Sequence, residues 1–102
     1  MKVVIVLCVK EFRDDLNEIL RDLDVQAYSE TDVRGVKHEH QVGMQVENWF
    51  GSEENPYNSV ANFTFVSDDK AELILERISQ FNDNLECCSP MHAFMLNVEK
   101  KV

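Results

Sequence analysis

Apolar and polar positions alternate along this chain with two distinct periods. Val3-Val4-Ile5-Val6-Leu7-Cys8-Val9 is rich in β-branched residues and apolar on both faces. Such a run describes a central strand covered on both faces. Phe12, Leu16, Ile19, Leu20 and Leu23 then recur at helical spacing, with Arg13, Asp14, Asp15, Asn17, Glu18 and Arg21 between them. This spacing predicts an amphipathic helix from Phe12 to Leu23. From Val25 to Val33 the period changes to two: Val25, Ala27, Ser29, Thr31 and Val33 alternate with Gln26, Tyr28, Glu30 and Asp32. That alternation predicts a half-buried, edge-like strand, punctuated by Gly35.

The pattern resumes after a long polar stretch. Val60-Ala61-Asn62-Phe63-Thr64-Phe65-Val66 reads as a third strand within Ser59–Val66. Ser67-Asp68-Asp69 offers a helix N-cap and first-turn negative charge. Ala71, Ile74, Leu75, Ile78 and Phe81 form the apolar stripe of a second helix, which Asn82-Asp83-Asn84 is expected to stop. Residues Cys87 to Pro90 make a short linker, and Met91–Val98 is the fourth strand. The order β-α-β, long loop, β-α-β predicts an α+β fold. It is the ferredoxin-like βαββαβ sandwich, with both helices on one face of an antiparallel sheet. A single domain is expected over residues 1–102.

Helices in this fold cover one sheet face, yet the first strand is apolar on both. The second face is expected to be buried by copies of the chain, so a homo-oligomer is predicted, and specifically a homotrimer.

Composition narrows the partners. The net charge is −9. A polyanion is repelled by such a chain, so no nucleic acid partner is expected. No apolar run approaches the roughly 20 residues of a membrane span, so no membrane insertion is expected. The Val3–Val9 run is short and passes into Lys10-Glu11 without a small-residue cleavage site. It reads as a buried strand of a cytoplasmic protein rather than a signal peptide. Three cysteines, with Cys87 and Cys88 adjacent, make no disulfide framework. Cys8 reads as a small buried hydrophobe.

The segment from Arg34 to Asn58 is far longer than an ordinary connection, which marks it as functional or disordered. His38-Glu39-His40 places two imidazoles on one side of an extended chain, with Glu39, Glu47, Glu53 and Glu54 nearby. A chelating pair and a solvated acidic loop are both open readings. Trp49-Phe50-Gly51 and Pro56-Tyr57 bring aromatics into a polar segment. These residues either anchor a partner protein or fold back onto the sheet edge.

A second cluster is Cys87-Cys88-Ser89-Pro90-Met91-His92. Thiolate, thioether and imidazole are ligands for Cu(I), Ag(I) and Zn(II). A metal ion is therefore a candidate cofactor, with Cys87, Cys88, Met91 and His92 as ligands. The alternative is that Met91 and the later Phe94 and Met95 are core or interface residues and the cysteines are incidental. Strand alternation places Met91 and His92 on opposite faces. Asp14-Asp15 and Asp68-Asp69 sit at helix starts, where the helix dipole accounts for them. No nucleophile–base arrangement or convergent acid pair stands out, and an enzyme is not expected.

Several of these stretches together resemble the PII signal-transduction family and its PII-like relatives. They are the strand at Met1–Val9, the helix from Phe12 to Leu23 and the run Ser29-Glu30-Thr31-Asp32-Val33-Arg34-Gly35. The Phe63–Asp68 strand end and the helix with Ala71-Glu72-Leu73-Ile74-Leu75-Glu76-Arg77-Ile78 complete the likeness. The resemblance covers nearly the whole chain. It implies a trimer, a T-loop that contacts partner proteins and a ligand cleft between subunits at the T-loop base. Gly35 would match the glycine that starts that loop, and Lys37 a polar residue at its base. By position, His38 and His40 would join them at the ligand site, and Trp49, Phe50 and Tyr57 would face the partner. The main family carries a Gly-rich, Lys-containing phosphate loop before the last strand. Here that place reads Glu86-Cys87-Cys88-Ser89-Pro90-Met91-His92, without glycine or lysine. Nucleotide held in the usual pose is therefore not expected. The better match is to divergent PII-like proteins, some linked to metal efflux or transporters, and the divalent-cation-tolerance family is a neighbouring resemblance. The expected function is a small trimeric regulator that senses a small ligand or ion and signals to a transporter or efflux pump. The alternative is a soft-metal sensor or buffer built on the cysteine-methionine-histidine cluster.

Overall fold

The computed structural model describes residues 1–36, 59–86 and 89–102. Within them the order is β1 (Lys2–Val9), a short 3-10 turn (Lys10–Phe12), α1 (Arg13–Asp22), β2 (Ser29–Val33), β3 (Ser59–Val66), α2 (Asp68–Asp83) and β4 (His92–Asn97). The strands form one sheet in the order β2-β3-β1-β4, and every neighbouring pair is antiparallel. This is the ferredoxin-like α+β arrangement expected from the pattern.

Alternation along β1 decides the two faces. Val4, Val6 and Cys8 are buried and join Val60 of β3 in one core. The helices close that core with Leu16, Ile19 and Leu20 from α1 and Ala71, Ile74 and Ile78 from α2. The opposite face carries Val3, Ile5 and Leu7 beside their cross-strand partners Phe65, Phe63, Leu96 and Phe94. Phe65 is 58% exposed and Leu96 49% exposed. Among the described residues of this single chain, no helix covers that face.

The helix starts and stops have local causes. Ser67 caps α2, its side-chain oxygen accepting from the Lys70 N–H at 3.2 Å, as its position before the acidic first turn suggested. Lys70 in turn donates from Nζ to the Leu23 carbonyl at the end of α1. Asp24 takes φ 59°, in the left-handed region, and this reverses the chain after α1. The Val25 N–H then donates back to the Leu20 carbonyl at 2.9 Å, and the Val25 side chain is buried in the core.

This helix stop corrects one expectation. The alternation from Val25 suggested a strand from there to Val33, but β2 starts at Ser29. Val25 belongs to the helix stop, and the Ala27 carbonyl accepts from the Thr64 hydroxyl at 2.7 Å. Apart from half-buried Val33, β2 is exposed. It pairs with β3 at the sheet edge. The second helix ends at Asp83 with Asn84 as its C-cap, inside the Asn82-Asp83-Asn84 run expected to stop it, and β4 covers His92–Asn97 within the expected 91–98.

Candidate functional site

The strand register gathers the chain's irregular segments at one end of the sheet. Val9 pairs with Ser59, and Ser59 pairs with Val33. The long segment therefore leaves the sheet after Val33 and rejoins it on the neighbouring strand, at the level where β1 ends. At the same end β4 begins, with His92 opposite Leu7, and the linker from α2 arrives there. One end of the molecule carries both the long segment and the linker.

Side chains at this end are tied together. Lys10 reaches Asp32 of β2 at 3.4 Å, linking the turn after β1 to the strand that feeds the long segment. Phe12 meets Phe81 edge to face, with ring centroids 5.4 Å apart, joining the same turn to the end of α2. Asn82 then clamps the start of β4 at two points. Its Nδ2 donates to the Met91 carbonyl at 2.8 Å, and the Met91 N–H donates to its Oδ1 at 2.9 Å. Met91 stands just before β4, and its backbone N–H and C=O are both met by this one side-chain amide.

Cys8 lies beneath this end and is fully buried. Burial first, and then the Glu30 carboxylate, pushes its thiol up to about 12. A thiol in that state is neither nucleophile nor ligand at neutral pH. The expectation of a small buried hydrophobe holds.

Of the expected site residues, three fall within the described part. Gly35 is buried at the root of the long segment, beside exposed Arg34 and Val36. Met91 is 2% exposed, its side chain in the core with Ile78 and Val60. His92 is the next residue along, paired with Leu7 on the other side of the strand. Met91 and His92 thus do not come together. Lys37, His38, His40, Trp49, Phe50, Tyr57, Cys87 and Cys88 lie outside the described residues. Among the described residues no group of three or more His, Cys, Asp or Glu could hold a metal ion, and no helix is long and apolar enough to cross a membrane.

Asn82 escaped the sequence reading. Its signal was present as one of three polar residues expected to stop the helix. Which of the three meets the linker depends on where the last turn of α2 falls.

No family model matches the sequence, and no curated protein matches it. Solved structures do match. A PII-like signalling protein of Thermus thermophilus superposes with a TM-score of 0.64 at 21% identity, over 95% of this chain and 85% of that one. The ligand-free form of CPII, a nitrogen regulatory PII-like protein of Thiomonas intermedia, gives 0.65 at 10% identity, over 93% and 85%. The chain has the PII-like fold. A second CPII structure, with ADP, AMP and bicarbonate bound, gives a TM-score of 0.60 at 12% identity, over 99% of this chain and 94% of that one. At these identities the likeness is one of fold. In this chain the long connection, residues 34–58, lies between the second and third strands.

Proposed function

We propose that this chain is a single-domain PII-like regulatory protein of the cytoplasm rather than an enzyme. Three copies form a homotrimer, and a small ligand or ion is held in the cleft between subunits, near Gly35, Lys37, His38 and His40. The long segment, with Trp49, Phe50 and Tyr57, then engages or releases a partner protein such as a transporter or efflux pump. The reading rests on one observation above the others: the long segment and the α2–β4 linker share one end of the sheet. A ligand seated at that end touches both, and so can favour one arrangement of the long segment over another.

The uncovered sheet face supports the trimer. Fully burying a large apolar side chain stabilises by about 1.5–3 kcal/mol. Phe63, Phe65, Phe94 and Leu96 are each about half exposed. Together they offer roughly 3–6 kcal/mol per protomer. Association costs at least about 4 kcal/mol. The half-buried Val3, Ile5 and Leu7 beside them extend the apolar area that an association could bury.

The chemistry of the linker shapes the choice of ligand. Between Glu86 and His92 the sequence has neither the glycines nor the lysine with which a phosphate-binding loop usually holds its ligand, so a nucleotide would have to be held in another way. The PII-like neighbour CPII holds ADP, AMP and bicarbonate, so these are the first ligands to try, followed by divalent and soft metal ions. Calorimetry on the full chain tests the reading. Saturable heat with one of these ligands, together with loss of partner capture when residues 37–58 are deleted, is the expected result. No heat with any of them, and a deletion that leaves partner binding intact, would overturn it.

A further inference from the structure

The contacts at the end that carries the long segment form an unbroken series. Met91 is clamped by Asn82 at 2.8 and 2.9 Å. The adjacent Phe81 packs edge to face on Phe12. Phe12 closes the 3-10 turn that begins at Lys10, and Lys10 pairs with Asp32. Asp32 is separated from buried Gly35 by Val33 and Arg34. The last turn of α2 is therefore tied on one side to the start of β4 and on the other, through the turn after β1, to the root of the long segment.

We propose that Asn82 is the positioning residue of this end. Its clamp sets where the linker meets the sheet, and the Phe81–Phe12 and Lys10–Asp32 contacts carry that position to the root of the long segment. The physical basis is the geometry of the two hydrogen bonds. A side-chain amide that both donates to and accepts from one backbone residue fixes its distance and its orientation. Phe81 cannot shift on Phe12 without moving Asn82, because the two are neighbours on one helical turn. The proposal rests on the reading that the long segment is the signalling element, and it names what sets that segment's root.

Coupling of this kind shows as non-additivity between positions that do not touch. Trp49 is the single tryptophan of the chain and lies in the long segment, so it reports on that segment without any added ligand. The experiment is acrylamide quenching of Trp49 in the full-length protein and in Asn82→Ala, Lys10→Met and the double variant. Arg77→Met serves as control, because its pair with Asp22 lies off the series. Circular dichroism confirms that each variant is folded. Asn82→Asp, which still accepts from the Met91 N–H but no longer donates, covers the case in which the alanine variant does not fold.

Asn82→Ala is expected to change the quenching constant by roughly twofold, the population shift that the weakest couplings along such networks produce. Asn82→Asp, which sets a carboxylate oxygen against the Met91 carbonyl, should change it as well, and Arg77→Met not at all. Lys10→Met should remove most of the further effect of Asn82→Ala. A quenching constant that Asn82→Ala and Asn82→Asp leave at the wild-type value would overturn the proposal. So would effects of Asn82→Ala and Lys10→Met that simply add. The measurement needs no ligand. A chain that binds none of the ligands tried fails the regulatory reading alone, and a silent Trp49 fails this one alone.

Discussion

Cys8 shows how one residue's surroundings fix its chemistry. It sits near the C-terminal end of β1 with its thiol wholly inside the core, and the carboxylates of Glu30 and Asp15 outweigh the single guanidinium of Arg13 around it. All of this favours the neutral thiol. Iodoacetamide at about pH 8 should therefore leave Cys8 unlabelled in the folded protein and label it only after unfolding, as read by mass spectrometry. The same burial makes a prediction about alkaline stability. The thiol's value rises from 9.0 in the unfolded chain to about 12 in the folded one. Above pH 9 the unfolded chain loses this proton first, so the contribution is full below pH 9 and is lost as pH rises towards 12. Across that window Cys8 should add up to roughly tenfold per pH unit to the unfolding constant. Denaturant midpoints of Cys8→Ala should fall less steeply over the same range; equal slopes would show that Cys8 does not titrate as described. The apolar run around Cys8 made its burial legible in the sequence. The clamp by Asn82 was not legible, since it depends on how a helix end is rotated against a strand rather than on local pattern.

At the level of elements, the two periods carried most of the architecture. β1, β3 and both helices stand where their apolar residues recur, because each presents an unambiguous face to one core. The boundary of β2 was hidden for a physical reason. Val25 alternates with its neighbours as a strand residue would, yet its backbone closes α1 and its side chain fills the core. Propensity could not show that Asp24 would turn left-handed. The site was legible in part: the long segment and the Gly35 root were marked by length and by one glycine. That the linker shares their end of the sheet came only from register. The capping of α2 offers an element-scale test. Ser67→Ala removes the acceptor for the Lys70 N–H and should cost about 1 kcal/mol. Thermal melts would register the loss, and an unchanged midpoint would mean that the cap contributes nothing.

For the whole molecule the decisive feature is the sheet face that no described helix covers. Phe63 and Phe65 meet edge to face on it, ring centroids 6.4 Å apart, and Phe94 and Leu96 extend the patch across β1. A net charge of −9 keeps copies apart unless such a surface draws them together. Phe65→Asp and Leu96→Asp each place a carboxylate on this face. In sedimentation at micromolar concentration the parent chain should run as a trimer and either variant as a monomer. A monomeric parent would refute the assembly. The alternative of a soft-metal sensor is separated by Cys87→Ser with Cys88→Ser. On the regulatory account the double variant keeps its response to ligand, whereas on the metal account it loses stoichiometric Cu(I) or Zn(II). The central claim is that a ligand at the end that carries the long segment changes that segment's state, and Trp49 emission reads this most directly. Titration with ADP, AMP and bicarbonate, and then with divalent and soft metal ions, should produce a saturable change in that emission with at least one of them. Emission that stays constant through every titration would contradict the account.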